Sequence, residues 1–260
     1  MYRYKITISY NGAMYYGWQL QPQKDRVTVQ GTLEKSLRTL IGKRIPIIAS
    51  SRTDSGVHAL GQVAHFTCEE YLSPRHLFAH FLRTLPQDIS VRTIERVSES
   101  FHSRHSLYKC YEYRLWRDRF APTPFISPFV WHIPYLDISS LCQALPHITG
   151  THNYAIFRNY SSHDTSSAIR TIFAIYPEYD KEHEQLFRLT FWGSGFVRGM
   201  IRNLVGFLVA IGRNKLSLKD IPSLLQKTQR KELSSQTAPP QGLTLHHIQY
   251  APYTIYESYP

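Results

Sequence analysis

The sequence predicts a mixed α/β protein of the α+β type, with short half-buried strands and a few amphipathic helices in irregular alternation. Three observations lead there. Residues 2–10 alternate apolar and polar with a period of two. Two stretches carry apolar residues at helical spacing behind recognisable start signals. Turn residues then divide the remainder into runs of strand length.

In chain order, Tyr2, Tyr4, Ile6, Ile8 and Tyr10 take one face of the first strand, and Arg3, Lys5, Thr7 and Ser9 the other. Asn11-Gly12 marks a turn. The aromatic run Tyr15-Tyr16-Gly17-Trp18-Gln19 could stack on bases, although core packing is the commoner use. Val29, Leu33, Leu37, Leu40 and Ile41 form the apolar stripe of a helix starting near Thr28. Ile45–Ala49 and Gln62–Phe66 read as strands around a polar connection. Ser73-Pro74 starts a helix that Pro86 ends, and Ile89–Val97 is a further strand. The first half, 1–104, thus reads strand, helix, strand, strand, helix, strand.

The second half, 105–260, opens on a long strand, 107–116, with Lys109, Tyr111, Tyr113 and Leu115 on one face. Four prolines between 120 and 134 predict a connection without regular structure. Asp137 caps a helix, residues 158–168 form a polar, serine-rich mobile loop, and 171–179 pairs with 186–192 as a hairpin. Residues 195–212 form the strongest helix, apolar nearly all round and therefore buried. Arg198 and Arg202 stand four apart on it, and an arginine there needs an anion to face or must snorkel at the rim. A short helix over 218–227 and a closing strand from Leu243 to about Tyr250 complete a loose repeat of the first half's order.

Composition narrows the function classes. Hydrophobic residues make up 42% and charged residues 19%, which suits a globular chain. Thirty Lys and Arg against nineteen Asp and Glu give a net charge of +11, which favours a polyanionic partner. No apolar run approaches membrane-spanning length, and the start lacks a signal-peptide block. Cys68, Cys110 and Cys142 are odd in number and scattered, which argues against a disulfide framework and for a reducing cytoplasm.

The chemistry centres on Ser50–Ala59, where Asp54 and Arg52 sit two residues apart. An ordinary hairpin loop would use the same residue types. Asp54-Ser55-Gly56 resembles an aspartic-protease loop, but that chemistry needs a second carboxylate. Asp164-Thr165-Ser166 lacks the glycine and the preceding strand. Among thirteen histidines, neither His58 and His65 nor His246 and His247 have a metal-ligand spacing, so no metal is expected. A lone carboxylate near fixed positive charge remains, able to act as nucleophile or general base.

The string Arg52-Thr-Asp-Ser-Gly-Val-His-Ala-x-Gly-Gln-Val-x-His-Phe66 closely resembles the signature of the tRNA pseudouridine synthase I (TruA) family. The resemblance extends through Tyr15–Gln19, Leu85-Pro86, Phe101-His-Ser-Arg104, Lys109–Tyr113, Arg170-Thr-Ile172, Gly195–Gly206 and Thr237–Leu243. It implies two similar halves of mixed, largely antiparallel sheet with helices on one side and a basic RNA-binding cleft between them. It also implies a cofactor-free cytoplasmic homodimer that isomerises uridine at positions 38–40 of the tRNA anticodon arm. On this resemblance Asp54 would act at the ribose, at C1′ or on the 2′ proton. Tyr111 would stack on the target base and assist loss of the C5 proton, Arg202 would pair with Asp54, and Arg52 would hold the flipped nucleotide. Arg198, Arg170 and His58 are the further expected RNA contacts. The chain departs from the family pattern at Ser51 (usually Gly), Ser55 (usually Ala) and Leu82-Arg83-Thr84, which replaces an Asn-containing run. Altered detail is expected there, with strain if Ser51 takes a positive φ. The competing reading is a catalytically silent tRNA-binding protein or chaperone on the same scaffold, and a metal-dependent RNA hydrolase is a third.

Overall fold

The computed structural model describes residues 1–23, 25–159 and 166–260. The elements are β1 (Tyr2–Tyr10), α1 (Val29–Ile41), β2 (Ile48–Ala49), β3 (His58–Cys68), α2 (Pro74–Thr84), β4 (Ile89–Val97), β5 (Tyr108–Trp116), β6 (Trp131–His132), α3 (Ile138–Ile148), β7 (Gly150–Asn153), β8 (Ile169–Tyr179), β9 (Leu186–Gly193), α4 (Met200–Gly212), α5 (Ile221–Leu225), β10 (Leu243–Gln249) and β11 (Ile255–Tyr259). They form two compact units of mixed α/β structure, one of residues 1–107 with 244–260 and one of residues 108–243.

In the first unit the strand order is β11-β4-β1-β3-β10, with β2 on β3. Neighbours run antiparallel except β10, which lies parallel to β3 through Thr244–His58 and Leu245–Ala59. Tyr4, Ile6, Ile8 and Tyr10 are buried, as the period-two pattern requires. Thr28 and Ser73 cap α1 and α2 by accepting from Gly31 N–H and His76 N–H. The two helices meet where Ser36 Oγ lies 2.6 Å from Thr84 Oγ1. Thr84 thus serves helix packing at the position where the family pattern differs.

The opposite face of β1 is not a solvent face. Lys5 is 8% exposed, bonded to Glu95 at 2.9 Å and to Tyr253, and the Arg3 guanidinium donates to the carbonyls of Glu99 and Phe101. Segments 98–105 and 250–253 cover this side. Residues 244–260, read from the sequence with the 105–260 half, belong to the first unit, because β10 and β11 complete its sheet.

The second unit holds the antiparallel order β5-β9-β8-β7, with β6 parallel to β5. Asp137 caps α3 through Ser139 N–H and Ser140 N–H. The apolar helix α4 is buried along nearly its whole length. It starts at Met200 and not at Gly195, because Gly199 takes φ 73°, a left-handed backbone that breaks helical continuity. Arg198 therefore precedes the helix and shares no helix face with Arg202. The helix expected over 218–227 is a 3₁₀ turn at Leu218–Asp220 leading into α5. The proline-rich 120–134 stretch contains β6 and a 3₁₀ turn at Ser127–Phe129. The centre of the polar loop expected at 158–168, with Asp164 and Thr165, lies outside the described residues.

Candidate active site

Asp54 stands in the connection between β2 and β3, which is tied to its surroundings at several points on either side of it. At its start, Ser50 N–H donates to the Val63 carbonyl at 2.8 Å. The Gln62 side chain, fully buried, donates from Nε2 to the Ser51 carbonyl at 2.8 Å, while Ser51 N–H lies 3.4 Å from its Oε1. Tyr10 Oη is 2.8 Å from Thr53 Oγ1, and burial pushes the Tyr10 phenol up to about 12, so it stays neutral as a hydrogen-bonding group.

The segment after β1 clamps the loop from outside. Trp18 N–H donates to the Thr53 carbonyl at 3.1 Å. The Gly56 N–H and the Ser55 hydroxyl both donate to the Tyr15 carbonyl, at 3.3 and 3.1 Å. Gly17 has φ 84°, and a Cβ there would lie 2.7 Å from the Thr53 carbonyl oxygen, so the position requires glycine. A tight turn, Val57 N–H to the Asp54 carbonyl at 3.2 Å, then feeds β3. Within this frame Asp54 is half-buried and Arg52 exposed. Ser51 has no positive φ, so it carries no such strain.

His58 requires a correction. It is 3% exposed, and its Nδ1 accepts from Gly12 N–H at 3.1 Å. That makes it an internal brace between the clamp and β3, and not an RNA contact. Trp18 and Tyr15 are likewise core residues, at 1% and 5% exposure, so only Tyr16 of that aromatic run offers a ring to solvent.

In the second unit, Tyr111 of β5 is itself 5% exposed, its ring covered edge-on by Phe196 at 5.4 Å between centroids, so stacking on a base would require Phe196 to move aside. Two residues on, Tyr113 is fully buried and donates to the Pro239 carbonyl at 2.7 Å. Arg202, half-buried near the start of α4, donates from Nε to the Ala238 carbonyl at 2.8 Å, and Ala238 N–H returns a bond to the Arg202 carbonyl at 3.1 Å. Asn203 secures this pairing. Its amide donates to the Phe157 carbonyl at 2.8 Å and to Asn159 at 2.9 Å, and its oxygen accepts from the Thr237 hydroxyl at 2.7 Å. Burial raises the Tyr113 phenol well above its usual range, and the nearby positive charge of Arg202 opposes that rise. Arg198 is exposed, and Arg170 is half-buried with Nη1 donating to the Ser167 and Ile169 carbonyls.

Asp54, Arg52 and His58 thus belong to the first unit, and Tyr111, Arg170, Arg198 and Arg202 to the second. Sequence reasoning missed the residues that hold them: Gln62, Thr53 and Trp18 around Asp54, and Asn203, Thr237 and Ala238 around Arg202. Asn203 could have been noticed as a polar residue inside an apolar helix, and the others lie within the family motifs without standing out there. Among the described residues no group of three or more His, Cys, Asp or Glu side chains could hold a metal ion, and no helix is long and apolar enough to cross a membrane.

The held loop of the first unit offers a half-buried carboxylate, the group that acid–base or nucleophilic chemistry requires, on a mixed α/β scaffold. The sequence model of the tRNA pseudouridine synthase family matches residues 6–106 and 144–251, and the chain belongs to that family. The matched segments include Asp54 and Arg202, whereas Tyr111 falls between them. Relatives called tRNA pseudouridine synthase A cover nearly the whole chain. The protein of Maridesulfovibrio salexigens is 39% identical over 96% of this chain and 91% of its own length. That of Listeria monocytogenes is 38% identical over 96% and 100%, and that of Lawsonia intracellularis 36% over 96% and 100%.

Proposed function

We propose that this protein isomerises uridine to pseudouridine in tRNA, at positions 38–40 of the anticodon arm, with Asp54 as the catalytic carboxylate. The carrying observation is the clamp on the Asp54 loop. Ser51, Thr53, Asp54 and Ser55 each have a backbone or side-chain group tied to Gln62, Trp18, Val57 or Tyr15. A turn without a task needs no such framework, whereas a reacting carboxylate must be held close to its productive position.

In the reaction the target uridine leaves its stack. Asp54 acts at the ribose, either attacking C1′ or drawing off the 2′ proton, and the C1′–N1 bond breaks. The uracil turns and C5 bonds to C1′ as the Asp54–C1′ bond breaks or, on the other route, as the 2′ proton is returned; N1 gains a proton and the C5 hydrogen leaves as a proton. Tyr111 stacks on the base and assists that last loss. The family resemblance makes Arg202 the cation that serves Asp54, and its guanidinium is oriented by the Ala238 carbonyl at Nε. Arg52, exposed on the loop, holds the flipped nucleotide, and Arg198 and Arg170 contact the RNA backbone. The chemistry calls for no cofactor. The family resemblance supports a homodimer, and three free cysteines support a reducing, cytoplasmic setting.

The test is tritium release from unmodified tRNA labelled at uridine C5, with chelator present, for wild type and Asp54→Asn. Release by wild type alone is expected. Binding without release by either protein would leave a silent tRNA-binding protein, and release by Asp54→Asn at the wild-type rate would remove Asp54 from the chemistry.

A further inference from the structure

The motif Phe101-His102-Ser103-Arg104 takes no part in the reaction just described, yet it gathers an arginine and several imidazole donors on the first unit. Three imidazoles pack in series, His65 edge-on to His102 with centroids 4.7 Å apart and His102 tilted against His105 at 4.8 Å. His65 is buried on β3, with Nδ1 2.9 Å from Ser103 Oγ, and Ser103 in turn donates to the Ile48 carbonyl at 2.8 Å. Tyr250 donates to the Ser103 carbonyl at 2.6 Å, so the base of the cluster is fixed from three sides. Outward, His102 is half-buried while Arg104 and His105 are exposed. Arg104 N–H donates to His102 Nδ1 at 3.3 Å, which leaves Nε2–H as that ring's donor.

The charges around this stack are of one sign. Arg3 of β1 and Arg104 both act on His65 and His102. Burial lowers His65 to about 4 and, with its cationic neighbours, lowers His102 as well. The carboxylates of the adjoining elements are engaged elsewhere: Glu95 by Lys5 and Tyr253, and Glu99 by the terminal ammonium at 3.2 Å. Such a group of donors and cations favours an anion.

We infer that Arg104, His102 and His105 form a binding site for a phosphodiester of the tRNA backbone, remote from the reacting nucleotide. This rests on the proposed tRNA substrate. The cluster lies at the His65 end of β3, whereas the Asp54 loop joins β3 at His58. Seven residues at about 3.3 Å each put His65 roughly 23 Å from His58 along β3, so the cluster and the point where the loop feeds the strand are distinct places. The site therefore serves affinity and register and leaves the chemical step alone.

The experiment measures Kd for an unmodified tRNA transcript across a salt series, with tritium release at saturating tRNA, for wild type, Arg104→Gln, Arg104→Lys and His102→Asn/His105→Asn. Arg104→Gln should raise Kd about five- to tenfold at ~0.1 M salt and reduce the salt slope by about one. Arg104→Lys should retain most of the affinity, the double histidine variant should weaken binding, and the saturated rate should not change. Wild-type Kd and slope in Arg104→Gln and in the double variant, or a loss confined to the saturated rate, would overturn the inference. If wild type binds tRNA but releases no tritium, the proposed reaction fails while this site stands or falls by Kd alone.

Discussion

Gln62→Leu is the substitution that bears most directly on how the catalytic loop is held. Leucine is close to glutamine in size, so the pocket stays filled, but its side chain offers no hydrogen bond. The Ser51 carbonyl loses its donor at 2.8 Å, Ser51 N–H loses the weaker contact at 3.4 Å, and Tyr10 Oη loses a neighbour at 3.4 Å. One good hydrogen bond contributes about 0.5–1.5 kcal/mol net, and a buried carbonyl left unsatisfied costs about 1–3 kcal/mol. The expected loss is therefore about 1–3 kcal/mol, borne by the first unit. Hydrogen exchange reads it locally: the amides of Trp18 and Val57, bonded to the Thr53 and Asp54 carbonyls, should exchange faster. Tritium release should slow with tRNA affinity retained, because the carboxylate is displaced and the RNA-binding cations are not. Stability within about 0.5 kcal/mol of wild type, with unchanged exchange at both amides, would refute the idea that Gln62 sets the loop.

Asp54→Asn should reduce release by at least about a thousandfold with tRNA still bound, since an amide can act neither as the required nucleophile nor as the base. Thr237→Val should lower the saturated rate with little change in Kd, and Thr237→Ser should restore it, because the hydroxyl bonded to Asn203 fixes the segment that orients Arg202; equal rates in both variants would deny that role. Alkaline pH should destabilise the protein through Tyr10. Its folded pKa of about 12 lies above the ordinary tyrosine value of 10.0, so the unfolded chain loses its proton first and stability falls as pH rises from 10 through 12. Tyr10→Phe should flatten that part of an unfolding curve measured against pH. In acid the sign reverses for His65, whose folded pKa of about 4 lies below 6.5: stability is present above 6.5 and lost as pH falls through 4, and His65→Gln should weaken that dependence.

Local signals carried the sequence reading furthest. The alternation of β1 and the capping residues Thr28, Ser73 and Asp137 each act within a few residues, and each element formed where its own chemistry placed it. The start of α4 was misplaced because Gly195–Gly199 continues the apolar spacing, and only the backbone at Gly199 interrupts it. The short β6 and β7 and the edge strand β11 have too few residues to show a period. Lys5 looked like a solvent-face residue because nothing in β1 reveals that Tyr253 covers it. The aspartate, tyrosine and arginine were recognisable as a family pattern. Gln62 and Thr237 lay inside quoted motifs, but their partners Ser51 and Asn203 could be assigned only with coordinates.

The parallel pairing of β10 with β3 bears on how the molecule is made. Thr244 meets His58 across 186 residues of chain (244 − 58), and the whole second unit is inserted between them. During synthesis the strand that follows the Asp54 loop emerges long before the strand that lies beside it. Until then the His58–Ala59 stretch of one β3 edge lacks its partner, whereas β5 to β9 of the intervening unit pair with one another. Closure across so long a loop is slow. The nascent chain would thus hold its catalytic loop on an unfinished sheet, with the exposed edge a template for wrong pairing. Ribosome-bound chains halted before residue 243 should show a protected second unit, and acquire protection in β3 only once β10 is released.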